Sequence, residues 1–572
     1  MELSWDDFRF MFDRGTGLIR RGLSSVRTRG LRGTWPLIAK RFRRTPESQR
    51  IVLCFPESQP FAPFTLPCSD APRASIVIPV FNHFAHTLAC LRALAEHPPQ
   101  VPVEIIVVDD GSSDQTQASL QQVAGLRYHR RERNGGFIAA CNDGAALARG
   151  EYLVFLNNDT VPQPGWLGAL LGTFDEHPQT GLAGAQLLYP DGRLQEAGGI
   201  VFSDGSCWNY GRFEAANDPR YAYAREVDYC SGAAIAVPRA LFARLGGFDA
   251  RYAPAYYEDT DLALAVRAAG LRTMYQPASR VVHMEGTTSG TDVSSGAKAY
   301  QIRNQGVFVE KWRSVLAGHA VPTSDPDAAA RRHARASVLI IDATTPQPDH
   351  DSGSLRLVNL MRLLRDEGAH VTFLPANLSQ TESHTRALQR LGVEAWHAPF
   401  VKRVPLWLRQ HGRRFDCVMV CRHYVAQEFL ALLRKHAPQA KVVFDTVDLH
   451  YLREQRGAEL TGDTALLRTS SRTRALELGV ISRSDVTLVV SEVERALLAK
   501  DAPLAKVEVL SNLHYIAGPG QAFENRRDLV FVGGFRHPPN VDAVLWFITD
   551  IFPAIRARLP NVRFHCIGSN TP

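Results

Sequence analysis

Four polar clusters in this 572-residue chain hold groups that can do chemistry. The first is split between Pro79-Val80-Phe81-Asn82, at the end of the apolar run ASIVIPVF, and Asp109-Asp110-Gly111-Ser112-Ser113-Asp114, at the end of VEIIVVDD. Open α/β sheets place ligands at such strand ends, and carboxylates there can accept hydrogen bonds from a base or a ribose. A phosphate loop would be glycine-rich instead, and neither GxGxxG nor GxxxxGK followed by Ser or Thr occurs. Ser and Asp are also good N-caps, so DDGSSD reads equally as a helix cap. The second cluster, Asn157-Asn158-Asp159 after EYLVFL, supplies oxygen ligands for Mg²⁺ or Mn²⁺, or else a turn. The third, Tyr256-Tyr257-Glu258-Asp259-Thr260-Asp261, offers a general base or a charged first helical turn favoured by the dipole. The fourth is His283 in RVVHMEGTTSG, a metal ligand or a structural histidine.

Short β-rich runs must carry these clusters. ASIVIPVF, VEIIVVDD and EYLVFLNND alternate with helical stretches near 85–96, 114–124 and 138–148, the pattern of a parallel α/β sheet. Residues 317–336 (AGHAVPTSDPDAAARRHARA) lack apolar periodicity and read as a linker. A second α/β series follows with SVLIIDA, HVTFLPA, CVMVC, KVVFDTV and VTLVV, and DLVFVGGF and RFHCIGS open a third unit that stops early. The expected division is a basic segment over 1–70, a first domain over 71–316, the linker, a lobe over 337–527 and the start of another over 528–572.

In order, VIPVFN, VVDDGSSD, NGGFIAACNDG, FLNND, YEDTDLALAVR and VVHMEG resemble glycosyltransferase family 2, an inverting family with the GT-A nucleotide-diphospho-sugar transferase fold, over roughly residues 74–315. The resemblance implies that Pro79, Phe81 and Asp110 line the nucleotide and that Asn134 and Gly136 lie along the donor. It implies that Asn157 and Asp159 stand in the metal-binding DxD motif, that His283 is an additional metal ligand, and that Asp259 is the catalytic base. Glu258, Asp261, Ser231 and Gly232 fall on the acceptor side. Asn157 departs from the family's first Asp, so only Asp159 brings full charge to the metal, and an imidazole ligand tilts preference from Mg²⁺ toward Mn²⁺.

The second half resembles glycosyltransferase family 4, a two-lobed GT-B fold, through SVLIIDATTPQPDHDSGSLRLVNLMRLLRDEGAHVTFLP, VVFDTVDLHYLRE, VTLVVSEVER and FVGGFRHPPNVDAVLWF. Residues 337–527 correspond to a Rossmann-like N-terminal lobe, and the donor site of the other lobe is expected to be missing. His350-Asp351-Ser352-Gly353-Ser354 would line the interlobe cleft, or form a plain βα turn.

Apolar residues at 45% and charged residues at 22% are those of a globular protein. No apolar run approaches the ~20 residues of a membrane span, and the first residues lack a signal-peptide pattern. Nine cysteines without a CxxC pair argue against a disulfide framework or a zinc ribbon, as in a reducing cytoplasm. Residues 1–50 hold twelve Lys/Arg and five Asp/Glu, so they carry the whole net charge of +7. Ile19, Leu23 and Val26, then Leu31, Trp35 and Ile38, recur at roughly helical spacing there, as in a helix lying on anionic lipid, although five glycines interrupt it. No module for reading nucleic acid accompanies the arginines.

The combined expectation is a bacterial glycosyltransferase at the inner face of the cytoplasmic membrane. It would move a hexosyl or deoxyhexosyl group from a UDP- or dTDP-linked donor to a glycan or lipid-linked acceptor in O-antigen or capsule assembly, with Mn²⁺ or Mg²⁺. The alternatives are a non-catalytic scaffold of degenerate transferase domains and a nucleotide-binding oxidoreductase, against which the missing GxGxxG weighs. Because the excess charge is confined to residues 1–50, their deletion is expected to release the protein from anionic vesicles, and added salt to do the same. Co-sedimentation of the two chains with vesicles checks this; equal binding would refute it.

Overall fold

The computed structural model describes residues 61–284, 299–516, 518–535 and 538–568. The basic residues 1–50, expected to lie on a membrane surface, fall outside this range. Among the described residues the chain forms two units: residues 61–335 with 387–395, and the remaining residues from 336 onward.

The first unit is built on β1 (Ala74–Val80), β2 (Val103–Asp109), β3 (Leu126–Arg130), β4 (Tyr152–Leu156), β5 (Thr160–Pro162), β6 (Thr180–Leu188), β7 (Leu194–Glu196), β8 (Ala234–Pro238) and β9 (Arg272–His283). Its helices include α1 (Phe84–Glu96), α2 (Thr116–Leu120), α3 (Phe137–Leu147), α4 (Glu258–Ala268) and α5 (Ala299–Leu316). Both β1 and β2 are buried at every position. Such fully buried, mostly apolar runs suit parallel strands covered on both faces. Their alternate residues divide accordingly: Val77, Ile106, Val108 and Phe155 join one core, and Ile76, Ile78, Ile105 and Val154 the other. Gly144 lets α3 approach closely, because a Cβ there would lie 2.3 Å from Val77 Cγ1.

Register decides which motifs meet. β1 pairs in parallel with β2 on one side, Val80 opposite Asp109, and with β4 on the other. The segments after these three strands, which hold Phe81, Asp110 and Asn157, therefore emerge at one edge. On the far side of β4 lie antiparallel β8, then β6, then β9 parallel to β6. The end of β9 turns onto β5 with His283 opposite Thr160, which sets His283 beside Asp159 although 124 positions separate them in sequence.

The expected linker is a docked strap. Asp228, 3% exposed, accepts hydrogen bonds from Arg332 Nε (2.8 Å) and Val201 N (2.9 Å), and its Oδ1 meets His333 Nε2 at 2.7 Å. Tyr210 Oη donates to Asp327 at 2.6 Å, and His319 Nδ1 lies 2.7 Å from Val201 O. The attachment is mainly polar, so hydrophobic periodicity carries no trace of it.

In the second unit β10 (Ala336–Asp342) is flanked by β11 (Ala369–Pro375) and β12 (Cys417–Cys421), and β13 (Lys441–Asp445), β14 (Val486–Val489) and β15 (Val507–Val509) follow, every pairing parallel. Its helices include α6 (Ser352–Asp366), α7 (His423–His436), α8 (His450–Thr461) and α9 (Thr464–Ile481). Arg356, 2% exposed, grips Asp445 with both guanidinium amino groups, at 2.6 and 3.2 Å. DLVFVGGF and RFHCIGS form β16 (Leu529–Val532) and β17 (Phe564–Ile567), paired in parallel.

Burial works to raise the Asp228 pKa, but the His333 hydrogen bond, the charges of Arg332 and His333 and the Val201 N–H outweigh it and hold it at about 2. A carboxylate held below its unfolded value contributes stability above pH ~4 that is lost as pH falls toward the folded value. Asp228→Ala should therefore lower stability at pH 7 by about 3 kcal/mol, the cost of orphaning buried partners. The difference from wild type should shrink between pH ~4 and ~2. Chemical denaturation across that range checks both.

Candidate active site

The edge where β1, β2 and β4 end is organised by buried carboxylates. Asp109 is spent on structure, accepting from Ser112 N (2.7 Å), Arg130 (2.6 Å) and Tyr128 Oη. Asp110, 3% exposed, receives Gly136 N (2.8 Å), Gly135 N (2.9 Å) and Arg131 Nη1 (2.5 Å). Its carboxylate thus holds the Asn134-Gly135-Gly136 turn against the end of β2. Gly136 has φ 85°, and a Cβ there would sit 2.7 Å from Pro254 Cβ, so only glycine fits. Asp114 accepts from the first N–H of both α1 (Phe84, 3.0 Å) and α2 (Thr116, 3.0 Å), so the cap reading of DDGSSD holds for this residue. Pro79 is buried within β1, whereas Phe81 just beyond it is 47% exposed. Ser112 Oγ accepts Asn82 N, and Asn82 Oδ1 accepts Ser113 N, both at 2.8 Å, which locks the turn after Phe81 to the loop after β2.

At the end of β4, Asn158 binds Thr87 Oγ1 (3.0 Å) and serves packing. Asp159, 3% exposed, places Oδ1 3.3 Å from His283 Nε2. On the other side of the imidazole, Nδ1 lies 2.8 Å from Gln195 Oε1. An amide oxygen can only accept, so Nδ1 carries a proton and Nε2 is the ring nitrogen that faces Asp159. Asn157 Oδ1 is buried with no hydrogen-bond partner among the described residues. A carboxylate, an oriented imidazole and an unsatisfied amide oxygen are the donor set of a divalent cation that bridges protein and diphosphate, so these residues fit Mn²⁺ or Mg²⁺.

The carboxylates that open α4 differ in their surroundings. Asp259 Oδ2 accepts Gly232 N (2.9 Å), and its Oδ1 accepts Thr260 N (2.6 Å) and Thr260 Oγ1 (3.1 Å). Glu258, 6% exposed, has Oε2 buried with no hydrogen-bond partner among the described residues. Burial raises both pKa values; the charge of Asp259 raises Glu258 further, whereas three hydrogen bonds restrain Asp259. The pair therefore keeps its proton on Glu258 and its charge on Asp259, the division needed for a base. Asp261 has no such freedom: Tyr252 Oη (3.0 Å), Trp312 Nε1 (2.7 Å) and Lys311 Nζ (2.8 Å) occupy both oxygens, so it anchors α5 to α4 instead of facing an acceptor. Ser231 presents its backbone N–H to Glu196 Oε1 at 2.8 Å.

Two residues that sequence reasoning missed support this arrangement. Tyr256 and Tyr257, with φ 77° and 74°, are left-handed immediately before α4, a conformation costing of order 1–3 kcal/mol each. The fully buried Asn304 holds the turn, its Nδ2 reaching Tyr252 O (2.6 Å), Ala255 O (2.9 Å) and Tyr256 O (3.0 Å). The second is Gln195, which with Glu196 makes β7 a bridge: Gln195 orients His283, while Glu196 holds Ser231, next to the Gly232 that binds Asp259. A glutamine within LQEAGG and an asparagine within a helix give no local signal of either role.

Residues 75–243 match the family model Glycosyl transferase family 2, so the chain carries a glycosyltransferase domain. The N-acetylglucosaminyl-diphospho-decaprenol L-rhamnosyltransferase of Mycobacterium tuberculosis is 28% identical over 38% of this chain and 77% of its own. The O-antigen biosynthesis protein RfbC of Myxococcus xanthus is 28% identical over 40% of this chain, which spans 18% of RfbC. An uncharacterized protein of Sinorhizobium fredii, y4gI, is 28% identical over 47% of this chain, which spans 30% of it. Among solved structures, the mannosyltransferase of Pyrobaculum calidifontis with GDP-Man and Mn²⁺ is 19% identical, covering 47% of this chain and 70% of that one, with a TM-score of 0.32.

Asp259→Asn should lower turnover by at least about a hundredfold, whereas Glu258→Gln, an isostere of the protonated acid, should stay within about tenfold of wild type. With its pKa raised, Asp259 ionises above the ordinary carboxylate range, so kcat/KM should rise with pH on an acid limb displaced upward from ~3.9 and retained in Glu258→Gln. A hundredfold loss in Glu258→Gln alone would reverse the assignment.

Proposed function

We propose that the first unit transfers a sugar, with inversion, from a nucleotide-diphosphate donor to a glycan or lipid-linked acceptor during assembly of a bacterial surface polysaccharide. One observation carries this reading. The Asp159–His283 pair and the Asp259 carboxylate belong to distant parts of the sequence, yet the adjacent residues Gln195 and Glu196 of β7 tie both to one edge of the sheet.

In an inverting displacement the acceptor hydroxyl attacks the anomeric carbon as the nucleoside diphosphate leaves from the opposite face. Asp259 accepts the hydroxyl proton, and its three hydrogen bonds keep it ionised and aimed. Asp159, His283 and Asn157 would hold Mn²⁺ or Mg²⁺, whose charge would stabilise the departing diphosphate. The turn fastened by Asp110 lies along the donor, with Phe81 offering an exposed ring to the base. Glu258, protonated, adds no charge to repel the diphosphate, while Gly232 and Ser231 border the acceptor. Transfer in polysaccharide synthesis is supported by what the rhamnosyltransferase and O-antigen relatives are named for, and the former's name supports a lipid-linked acceptor.

For the second unit we propose a family 4-like GT-B N-terminal lobe over residues 337–527, supported by the parallel pairings of β10 to β15. Asp351 caps α6 through Ser354 N (2.7 Å), which favours the plain-turn reading of His350-Asp351-Ser352-Gly353-Ser354. No described helix is long and apolar enough to cross a membrane, and a cytoplasmic, peripheral location is proposed from the sequence.

Incubating the chain with a panel of UDP-, dTDP- and GDP-linked sugars and measuring nucleotide release with and without Mn²⁺ tests the reading. Release that a chelator abolishes is expected. Asp159→Ala and His283→Ala should each weaken Mn²⁺-dependent donor binding, and the double variant should lose less than the sum. Donor binding without turnover on any acceptor would favour the scaffold, and NAD binding the oxidoreductase.

A further inference from the structure

The second unit contains a group of metal-type ligands that the proposed transfer does not use. His423 opens α7, His450 opens α8 and Glu477 lies in α9, with exposures of 8%, 6% and 0%. One ligand atom from each lies within 4.8 Å of the other two. Glu477 Oε1 is 3.8 Å from His450 Nδ1 and 4.0 Å from His423 Nδ1, and the two rings meet edge to face with centroids 4.8 Å apart. These separations are too long for direct hydrogen bonds. A fourth atom, Asp448 Oδ1, is buried with no hydrogen-bond partner among the described residues and lies 3.3 Å from His450 Nδ1. Its companion Oδ2 is held by Arg453.

The geometry points to a structural zinc site formed by His423, His450 and Glu477, with Asp448 as the fourth ligand. Two imidazoles with carboxylate oxygens match zinc, whereas Mg²⁺ and Ca²⁺ prefer oxygen alone. Bonds of about 2.0–2.2 Å in a tetrahedral shell would bring ligand atoms to roughly 3.4 Å apart, a contraction of about half an ångström from the two Glu477–imidazole separations. Glu477 already accepts the N–H groups of Tyr451 (3.2 Å) and His450 (3.4 Å), and its remaining lone pairs are free to ligate without uncapping α8. His450 Nδ1 carries the ring proton where it meets the Asp448 carbonyl at 3.0 Å, so metal binding would require the other tautomer, with the proton on Nε2 and the Nδ1 lone pair given to the metal. The cluster stands just beyond the carboxyl ends of β12 and β13, so the ion would pin three helices where ligands enter α/β sheets. Four donors from the protein leave no open position, which makes the role structural and not catalytic.

The test uses the full chain carrying His283→Ala, which removes the other candidate metal site. After dialysis against a chelator and titration with Zn²⁺, one tightly held zinc per chain and a higher Tm are expected, and substitution with Co²⁺ should give the visible absorption of a tetrahedral site. His423→Gln, His450→Gln or Glu477→Gln, each verified as folded by circular dichroism, should weaken zinc binding at least about tenfold. Failure to retain stoichiometric zinc, or full retention in these folded variants, overturns the site. Zinc K-edge absorption on the His283→Ala chain needs no further variant to fold: two imidazole nitrogens in the shell are expected, and none would overturn the proposal.

Discussion

Removing a carboxylate from water costs several kcal/mol unless donors or a cation replace the solvent, and this cost organises the first unit. Asp109, Asp110, Asp159, Asp228, Glu258 and Asp261 are all buried. Those surrounded by donors build the scaffold: Asp109 secures the end of β2, Asp110 the glycine turn, Asp261 the junction of α4 with α5, and Asp228 the strap. The proposed transfer draws on others of this set. Asp159 faces an imidazole instead of a guanidinium, and Glu258 has an oxygen with no donor among the described residues. Asp259 stands between the two groups, with enough hydrogen bonds to stay charged but no paired cation among the described residues.

The same constraint separates two kinds of buried charge in the second unit. Asp445 is neutralised by Arg356 through two hydrogen bonds, an arrangement that holds α6 and the sheet together. Glu477 has no hydrogen-bonded cation among the described residues: two backbone N–H groups donate to it, and two imidazoles stand close by. Both sets sit at the carboxyl edge of a parallel sheet, where helix N-termini converge and favour negative charge.

Strain and its restraint are also paired. Two consecutive left-handed tyrosines precede α4, and one asparagine side chain from α5 binds the carbonyls of Tyr252, Ala255 and Tyr256. Because α5 is itself anchored by Asp261, the turn that aims Glu258 and Asp259 depends on a helix some fifty residues downstream. The strap that follows α5 is tied by Asp228, so the unit closes well beyond the last strand of its sheet.

What was legible in the sequence was local. Short runs this rich in apolar residues suit strands covered on both faces, so β1, β2 and β4 lie where ASIVIPV, VEIIVVD and YLVFL predict, and the order of the polar clusters identifies the kind of domain. Residue type alone could not say what each acid does, since Asp114, Asp259 and Asp261 look alike in sequence. Their roles were decided by donors supplied from elsewhere: Phe84 for the first, Gly232 for the second, and Tyr252, Lys311 and Trp312 for the third. Gln195, Asn304 and Asp228, and the docking of residues 317–335, likewise depend on register and long-range approach. Burial and periodicity act within a few residues and leave a trace in the chain, whereas a hydrogen-bond partner a hundred residues away leaves none until the sheet sets the two side by side.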